Sequence, residues 1–149
     1  MAASGKIEDR TLIISRRFAA PPKAVFDAWV SEDKFSQWMG PEGFSVPTCE
    51  NDAKPGGHFR VVVKSPDGNE NIATGTYEEI ASPERLVLTW GWNYPEGRGH
   101  ATAITVELAA VGDETEMTMH QALFGEREHR DNHMQGWNAS LDKMAGLFS

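Results

Sequence analysis

The chain has little cysteine, little basic charge and no long apolar run. A single cysteine among 149 residues, Cys49, excludes an internal disulfide and a cysteine-rich metal site. Lys and Arg number 14 against 22 Asp and Glu, a formal net charge of −8, which argues against nucleic acids and anionic membrane surfaces as partners. No segment approaches the ~18 continuous apolar residues of a membrane span, so no membrane insertion is expected. The first ten residues lack the apolar segment of a secretory signal, and we therefore expect a cytoplasmic protein.

What the chain does contain is the composition of one folded domain. Hydrophobic residues make up 40% and charged residues 24%, which is ordinary for a globular protein and too apolar for a disordered one. A length near 150 residues predicts one domain. We expect a loose segment over residues 1–9 and a single domain over residues 10–149.

The order of the predicted elements indicates an α+β fold. Residues 10–18 are rich in β-formers and predict a first strand, and two short helices are expected from Pro21 and Pro22 onward. Six strands separated by turns then follow over residues 44–122, and residues 125–148 have helical periodicity. We therefore predict a seven-stranded antiparallel curved sheet, with the long C-terminal helix packed across its concave side.

The inward-facing positions of this arrangement are rich in aromatic residues and methionine. A helix over a curved sheet rarely fills the space at both ends, so we expect a cavity there, and apolar clefts with a few polar groups are where small molecules bind. Ordinary core packing remains the alternative for each of these side chains. The residues expected to line the cavity are Trp38, Met39, Phe44, Phe59, Trp90, Trp92, Met117, Met119, Gln121, His133, Met134 and Trp137.

Several short motifs, spread over residues 10–148, resemble one known family. The resemblance is to the helix-grip fold of the START-like (SRPBCC) superfamily, and within it to homologues of the activator of the ninety-kilodalton heat-shock protein's ATPase, in the form of its single C-terminal-type domain. It departs from the family pattern at Met39, where a second aromatic is common, and at Gln121, where a histidine is common. The motifs are FAAPP (residues 18–22), WMGPEGF (38–44), KPGG (54–57), PDG (66–68), GTYEEI (75–80), PERLVLTW (83–90) and HMQGW (133–137).

Three functions follow as hypotheses. The first is binding of a small, mostly hydrophobic ligand without catalysis, because no catalytic constellation is evident beside the apolar inward face. The second is a cyclase- or hydrolase-like enzyme that uses His133 as base, with Gln121 as an orienting group. The third, a chaperone-associated stress-response protein, is implied by the resemblance alone. Self-association of two copies through exposed edge strands is left open.

Metal and cofactor chemistry receive no support from the motifs. His129 and His133 are spaced as two helical zinc ligands would be, but the glutamate of an H-E-x-x-H site is missing and Arg130 stands between them. We therefore predict no metal and no cofactor. Gly136, inside the predicted C-terminal helix, would cost about 1 kcal/mol relative to alanine, which close approach of another backbone could justify.

Overall fold

The structure, a computed structural model, describes residues 11–40, 43–94, 97–98, 102–122 and 127–148. In residues 92–94, 97–98 and 127–132 it describes the backbone alone. The segment expected to be loose, residues 1–9, lies outside the described residues.

The chain begins with an edge strand and two short helices. Strand β1 (Leu12–Phe18) is followed by helix α1 (Pro22–Val30) and helix α2 (Glu32–Trp38). Pro22 stands at the first turn of α1, where its missing N–H is harmless. Ser31 ends α1 and caps α2, because its hydroxyl accepts a hydrogen bond from the Lys34 N–H at 3.3 Å.

Seven more strands follow in the chain: β2 (Ser45–Asn51), β3 (His58–Lys64), β4 (Glu70–Ala81), β5 (Arg85–Tyr94), β6 (Gly97–Arg98), β7 (Thr102–Val111) and β8 (Glu114–Ala122). Together with β1 they form one antiparallel sheet in the order β1-β8-β7-β5-β4-β3-β2. The predicted fold is confirmed, with one addition. The two-residue strand β6 pairs with β5 inside a segment that we expected to be a loop, because the β5 hairpin continues beyond Asn93.

Helix α3 (Arg127–Gly146) is attached to the rest of the fold near its C-terminal end. Arg16 of β1 contacts Asp142 at 2.5 Å. The Gly40 N–H donates to the Ser140 hydroxyl at 3.0 Å, and Lys143 Nζ donates to the Gly40 carbonyl at 3.1 Å. Gly40 has φ +95°, a backbone conformation that favours glycine. These contacts hold α3 against β1 and against the chain that follows α2.

The core lies between the inner face of the sheet and the three helices. Alternation is confirmed along β3, where Phe59, Val61 and Val63 are buried. Val62, on the opposite face of β3, is buried as well, so that face of the sheet is partly covered. The largest fully buried apolar side chains are Leu12, Phe18, Trp38, Leu86, Trp90, Ile104, Met117, Met119, Leu141 and Met144. Within the described ranges, no helix combines the length and apolar character needed to cross a membrane.

Candidate functional site

The hollow under α3 is occupied by tryptophan rings. Trp137 extends from α3 onto the sheet, where its ring centroid lies 5.4 Å from that of Trp90. It also lies 5.7 Å from Trp29 of α1 and 6.3 Å from Trp38 of α2. Trp137 is only 3% exposed. At this position α3 therefore fills the space over the sheet, where the sequence led us to expect a cavity.

A chain of buried hydrogen bonds ties Trp137 to three strands. The Trp137 indole N–H donates to Gln121 Oε1 on β8 at 2.7 Å. Gln121 Nε2 donates to the Thr102 hydroxyl on β7 at 2.7 Å, and that hydroxyl donates to the Trp90 carbonyl on β5 at 2.9 Å. Gln121 is fully buried, and both ends of its amide are paired within the protein. It is therefore held as a structural group, not free to orient a substrate beside His133, which lies half-buried on α3.

A small pocket remains on the α1–α2 side of Trp137, and we call it the inner cavity. Its volume is about 10 Å³, room for about one water molecule. Among the described residues that line it, none comes from α3. The purely apolar residues of the lining are Phe35, Phe59, Val61, Leu86 and Leu88. The lining residues that also carry a polar group are Trp29, Cys49, Asn51, Tyr77 and Trp90.

Asn51, at the end of β2, connects the walls of the inner cavity. Its Nδ2 donates to the Val30 carbonyl at 2.5 Å and to the Tyr77 hydroxyl at 3.1 Å. Its backbone N–H donates to Glu32 Oε2 at 2.8 Å. One residue therefore joins the edge strand β2 to the α1–α2 junction and to β4, and it closes the cavity on that side.

The two titratable groups at the inner cavity are both held in their neutral forms. Burial raises the pKa of the Cys49 thiol above its usual 9.0, and a hydrogen bond with Ser36 opposes the rise only in part. Burial likewise raises the pKa of the Tyr77 hydroxyl above its usual 10.0, against the lowering by its hydrogen bond with Asn51. At neutral pH the cavity thus presents a thiol and a phenol, and Cys49 lacks the thiolate character of a nucleophile.

The Trp29 indole N–H differs from the amide of Asn51 and the hydroxyl of Tyr77, which are paired. Trp29 is 3% exposed, and its Nε1 has no hydrogen-bond partner among the described residues. Its neighbour Trp38 shows the usual arrangement, because the Trp38 N–H donates to the Ala28 carbonyl at 2.8 Å. A buried donor without an acceptor is uncommon in folded proteins, and this one belongs to a residue that lines the inner cavity.

The residues predicted to bind ligand are distributed over the whole core. Phe59 and Trp90 line the inner cavity. Phe44 and Met134 pack against the core from partly buried positions. The side chain of Trp92 lies outside the described residues. The remaining buried members of the predicted set are Trp38, Met39, Met117, Met119, Gln121 and Trp137.

Of the ten described residues that line the inner cavity, eight were not predicted to bind ligand, and two of these had a detectable signal. Cys49 and Asn51 stand two apart on β2, and they pair with Val61 and Phe59, whose side chains face inward. Once that register is known, alternation places both residues on the inner face. Trp29 was expected only as part of an apolar helix face.

A second depression, on the other face of the sheet, differs in chemistry. This groove has a volume of about 400 Å³ and is lined mainly by threonines, glycines and His58. His58 Nδ1 lies 3.1 Å from the Thr76 hydroxyl, and the Thr76 N–H donates to the Thr89 hydroxyl at 2.9 Å. The groove thus combines hydroxyl groups and a histidine with the ring of Phe59, which lines the inner cavity as well.

The part of the chain that the structure describes contains no group of three or more His, Cys, Asp or Glu placed to hold a metal ion. The side chains of His129 and Arg130, which entered the zinc argument, lie outside that part.

The comparisons with known proteins agree with the fold and the motifs. The AHSA1 protein from Silicibacter pomeroyi is 30% identical, with a TM-score of 0.82 over 92% of this chain and 96% of that chain. A Chromobacterium violaceum protein is 25% identical, with a TM-score of 0.84 over 93% and 96%. A Rhizobium leguminosarum protein is 28% identical, with a TM-score of 0.79 over 93% and 92%. No curated protein matches the sequence.

The family assignment comes from the sequence itself. The model of the family described as "Activator of Hsp90 ATPase homolog 1-like protein" matches residues 19–149, most of the chain. The FAAPP, WMGPEGF and HMQGW motifs fall wholly or largely within that range. The chain therefore belongs to the activator of Hsp90 ATPase homolog 1-like family, as its motifs led us to expect.

Proposed function

We propose that the protein binds a small, mostly hydrophobic molecule in an enlarged form of the inner cavity. The observation that carries the proposal is a mainly apolar pocket whose lining also includes a few residues with polar groups. Binding sites for small molecules commonly combine an apolar lining with a few placed polar groups. Membership of this START-like family is consistent with a ligand-binding domain.

Binding at this site requires the cavity to widen, since about 10 Å³ holds no more than a water molecule. The movable wall is α1 and α2, which are short and meet at Ser31. Separating them from β2 requires Asn51 to release the Val30 carbonyl and Glu32. We expect the cavity to widen more easily in Asn51→Ala than in the wild type, so the association rate of the ligand should rise.

Of the residues predicted from the sequence, Phe59 and Trp90 would contact the ligand directly. Trp137 would support Trp29 from the side of α3, because the two ring centroids lie 5.7 Å apart. The methionines of β8, Met117 and Met119, would adjust their packing when the cavity widens, because methionine adapts to irregular space.

The test is ligand-observed NMR with indane, an apolar probe, together with a filled-cavity variant. Leu88→Phe adds volume at the lining, and we expect it to weaken indane binding at least tenfold. Thr76→Val lies in the groove on the other face and serves as the matched control, which should bind indane like the wild type. Equal binding by the wild type and Leu88→Phe, or no binding by the wild type across a panel of small apolar probes, would overturn the proposal.

A second candidate, interaction with a chaperone of the Hsp90 type, is favoured by the family description alone. It is tested separately, by measuring the ATPase rate of the host's own chaperone with and without this protein. An unchanged rate, together with no complex by analytical ultracentrifugation, would remove this candidate and leave ligand binding untouched.

A further inference from the structure

We infer that the ligand carries one uncharged hydrogen-bond acceptor, a carbonyl, ether or hydroxyl oxygen, that pairs with the indole N–H of Trp29. The inference rests on the proposed function, and it names the class of molecule: apolar and neutral, with an oxygen on one edge. Trp29 is then the residue that selects such molecules over pure hydrocarbons.

The first argument is the state of the donor. Trp29 is nine-tenths or more buried, and in the part of the chain that the structure describes its Nε1 meets no hydrogen-bond acceptor. Its ring contacts are aromatic, with Trp38 at 4.9 Å, Trp137 at 5.7 Å and Phe35 at 6.5 Å between centroids. None of these side chains offers an acceptor oxygen, so the acceptor has to come from elsewhere.

The second argument is the position of the residue. Trp29 is one of the residues that line the inner cavity, so a ligand bound there contacts this side chain. In the unliganded protein the cavity is the size of one water molecule, and a water there needs at least two polar partners. A ligand oxygen would replace such a water and keep its hydrogen bond, which preserves affinity.

The third argument concerns charge. No lysine or arginine is among the described residues that line the inner cavity. The carboxylate of Glu32 accepts a hydrogen bond from the N–H of Asn51, a lining residue, and would repel a carboxylate ligand. Burying an anion without a positive partner is strongly unfavourable, so a neutral oxygen fits and a carboxylate does not.

The test compares two probes of nearly equal shape, indane and 1-indanone, which differ by one carbonyl oxygen. Trp29→Phe keeps an aromatic ring at this position but loses the N–H and part of the ring volume. A net hydrogen bond of ordinary strength corresponds to about tenfold in affinity. We expect Trp29→Phe to weaken 1-indanone relative to indane by about that factor, because indane reports any change of shape alone.

Trp38→Phe is the matched control. It also removes one buried indole N–H, but that group is already paired with the Ala28 carbonyl and Trp38 is not among the residues that line the cavity. The ratio of the two probe affinities should stay within twofold of the wild-type ratio. An unchanged ratio in Trp29→Phe, or an equal change in both variants, would overturn the inference.

A measurement on the wild type covers the case in which a variant does not fold. The Trp29 Nε1–H resonance should move downfield on addition of 1-indanone and much less with indane. If both probes bind and shift the Trp29 Nε1–H resonance equally, the inferred hydrogen bond to a ligand acceptor is refuted while the proposed function stands. Failure of both probes to bind would refute the proposed function itself.

Discussion

The buried bond between Trp137 and Gln121 allows a quantitative prediction. Gln121→Met keeps the volume of the side chain nearly unchanged, so little cavity forms. The Trp137 N–H is then left buried without an acceptor, which costs about 1–3 kcal/mol, and the bond to Thr102 contributes about 1 kcal/mol more. We expect the free energy of unfolding to fall by about 3 kcal/mol. For a chain of this size that lowers Tm by roughly 6–12 °C.

A double-mutant cycle separates the bond from the packing. Trp137→Phe loses ring volume and leaves Gln121 Oε1 without its donor. The double variant removes both the donor and the acceptor, so neither group of the pair stays buried without its partner. The losses of unfolding free energy in the two single variants, measured by urea unfolding and added together, should therefore exceed the loss in the double variant by about 1–2 kcal/mol. Additivity within about 0.5 kcal/mol would refute the reasoning, because the bond would then contribute nothing of its own.

Three further predictions concern stability. Gly75→Ala should destabilise the protein by about 2 kcal/mol or more in urea unfolding, because a Cβ there would lie 2.0 Å from the Thr89 carbonyl oxygen; an unchanged midpoint would contradict this. Gly136→Ala should stabilise by about 0.5–1 kcal/mol, since its Cβ would meet no atom within 4 Å; a loss of stability would show a contact that this geometry lacks. The pKa values of Cys49 and Tyr77 are both raised by burial, so the folded state holds these protons more tightly than the unfolded state. Their contribution to the free energy of unfolding is complete below pH 9 and is lost as the pH rises through the raised pKa values. Cys49→Ala should therefore lose less free energy of unfolding than the wild type when unfolding is measured from pH 8 to 11.

The fold followed from patterns that are local in the sequence. Proline at the start of α1 was predicted, and it acts within one helical turn, as does Ser31 at the cap of α2. The alternation of buried side chains along β3 is likewise a local pattern. The two-residue strand β6 was missed, because two pairs in a hairpin leave no periodic signal.

The candidate site was harder to predict, because it depends on which side chain fills which space. Helical spacing placed Trp137 on the inward stripe of α3, but spacing cannot say how far its ring reaches. The ring reaches Trp90 and Trp29, and the open space is left beside α1 and α2. Gly136 shows the same limit: the close approach that could have justified it is absent, as its missing Cβ faces open space.

The sequence by itself determined the antiparallel sheet, the helices and the family, since each depends on periodicity, turn residues or short motifs that the chain carries in order. Tertiary structure alone decided that Gln121 forms hydrogen bonds with both Trp137 and Thr102. It also decided that Asn51, in the lining of the inner cavity, donates to the Val30 carbonyl and the Tyr77 hydroxyl. Those contacts join residues that are 16 to 26 positions apart in the chain and lie in different helices and strands. Whether such a hydrogen bond forms depends on differences of a few tenths of an ångström in the distance between donor and acceptor. No local pattern encodes distances of that kind, so the site appeared only when the elements were packed together.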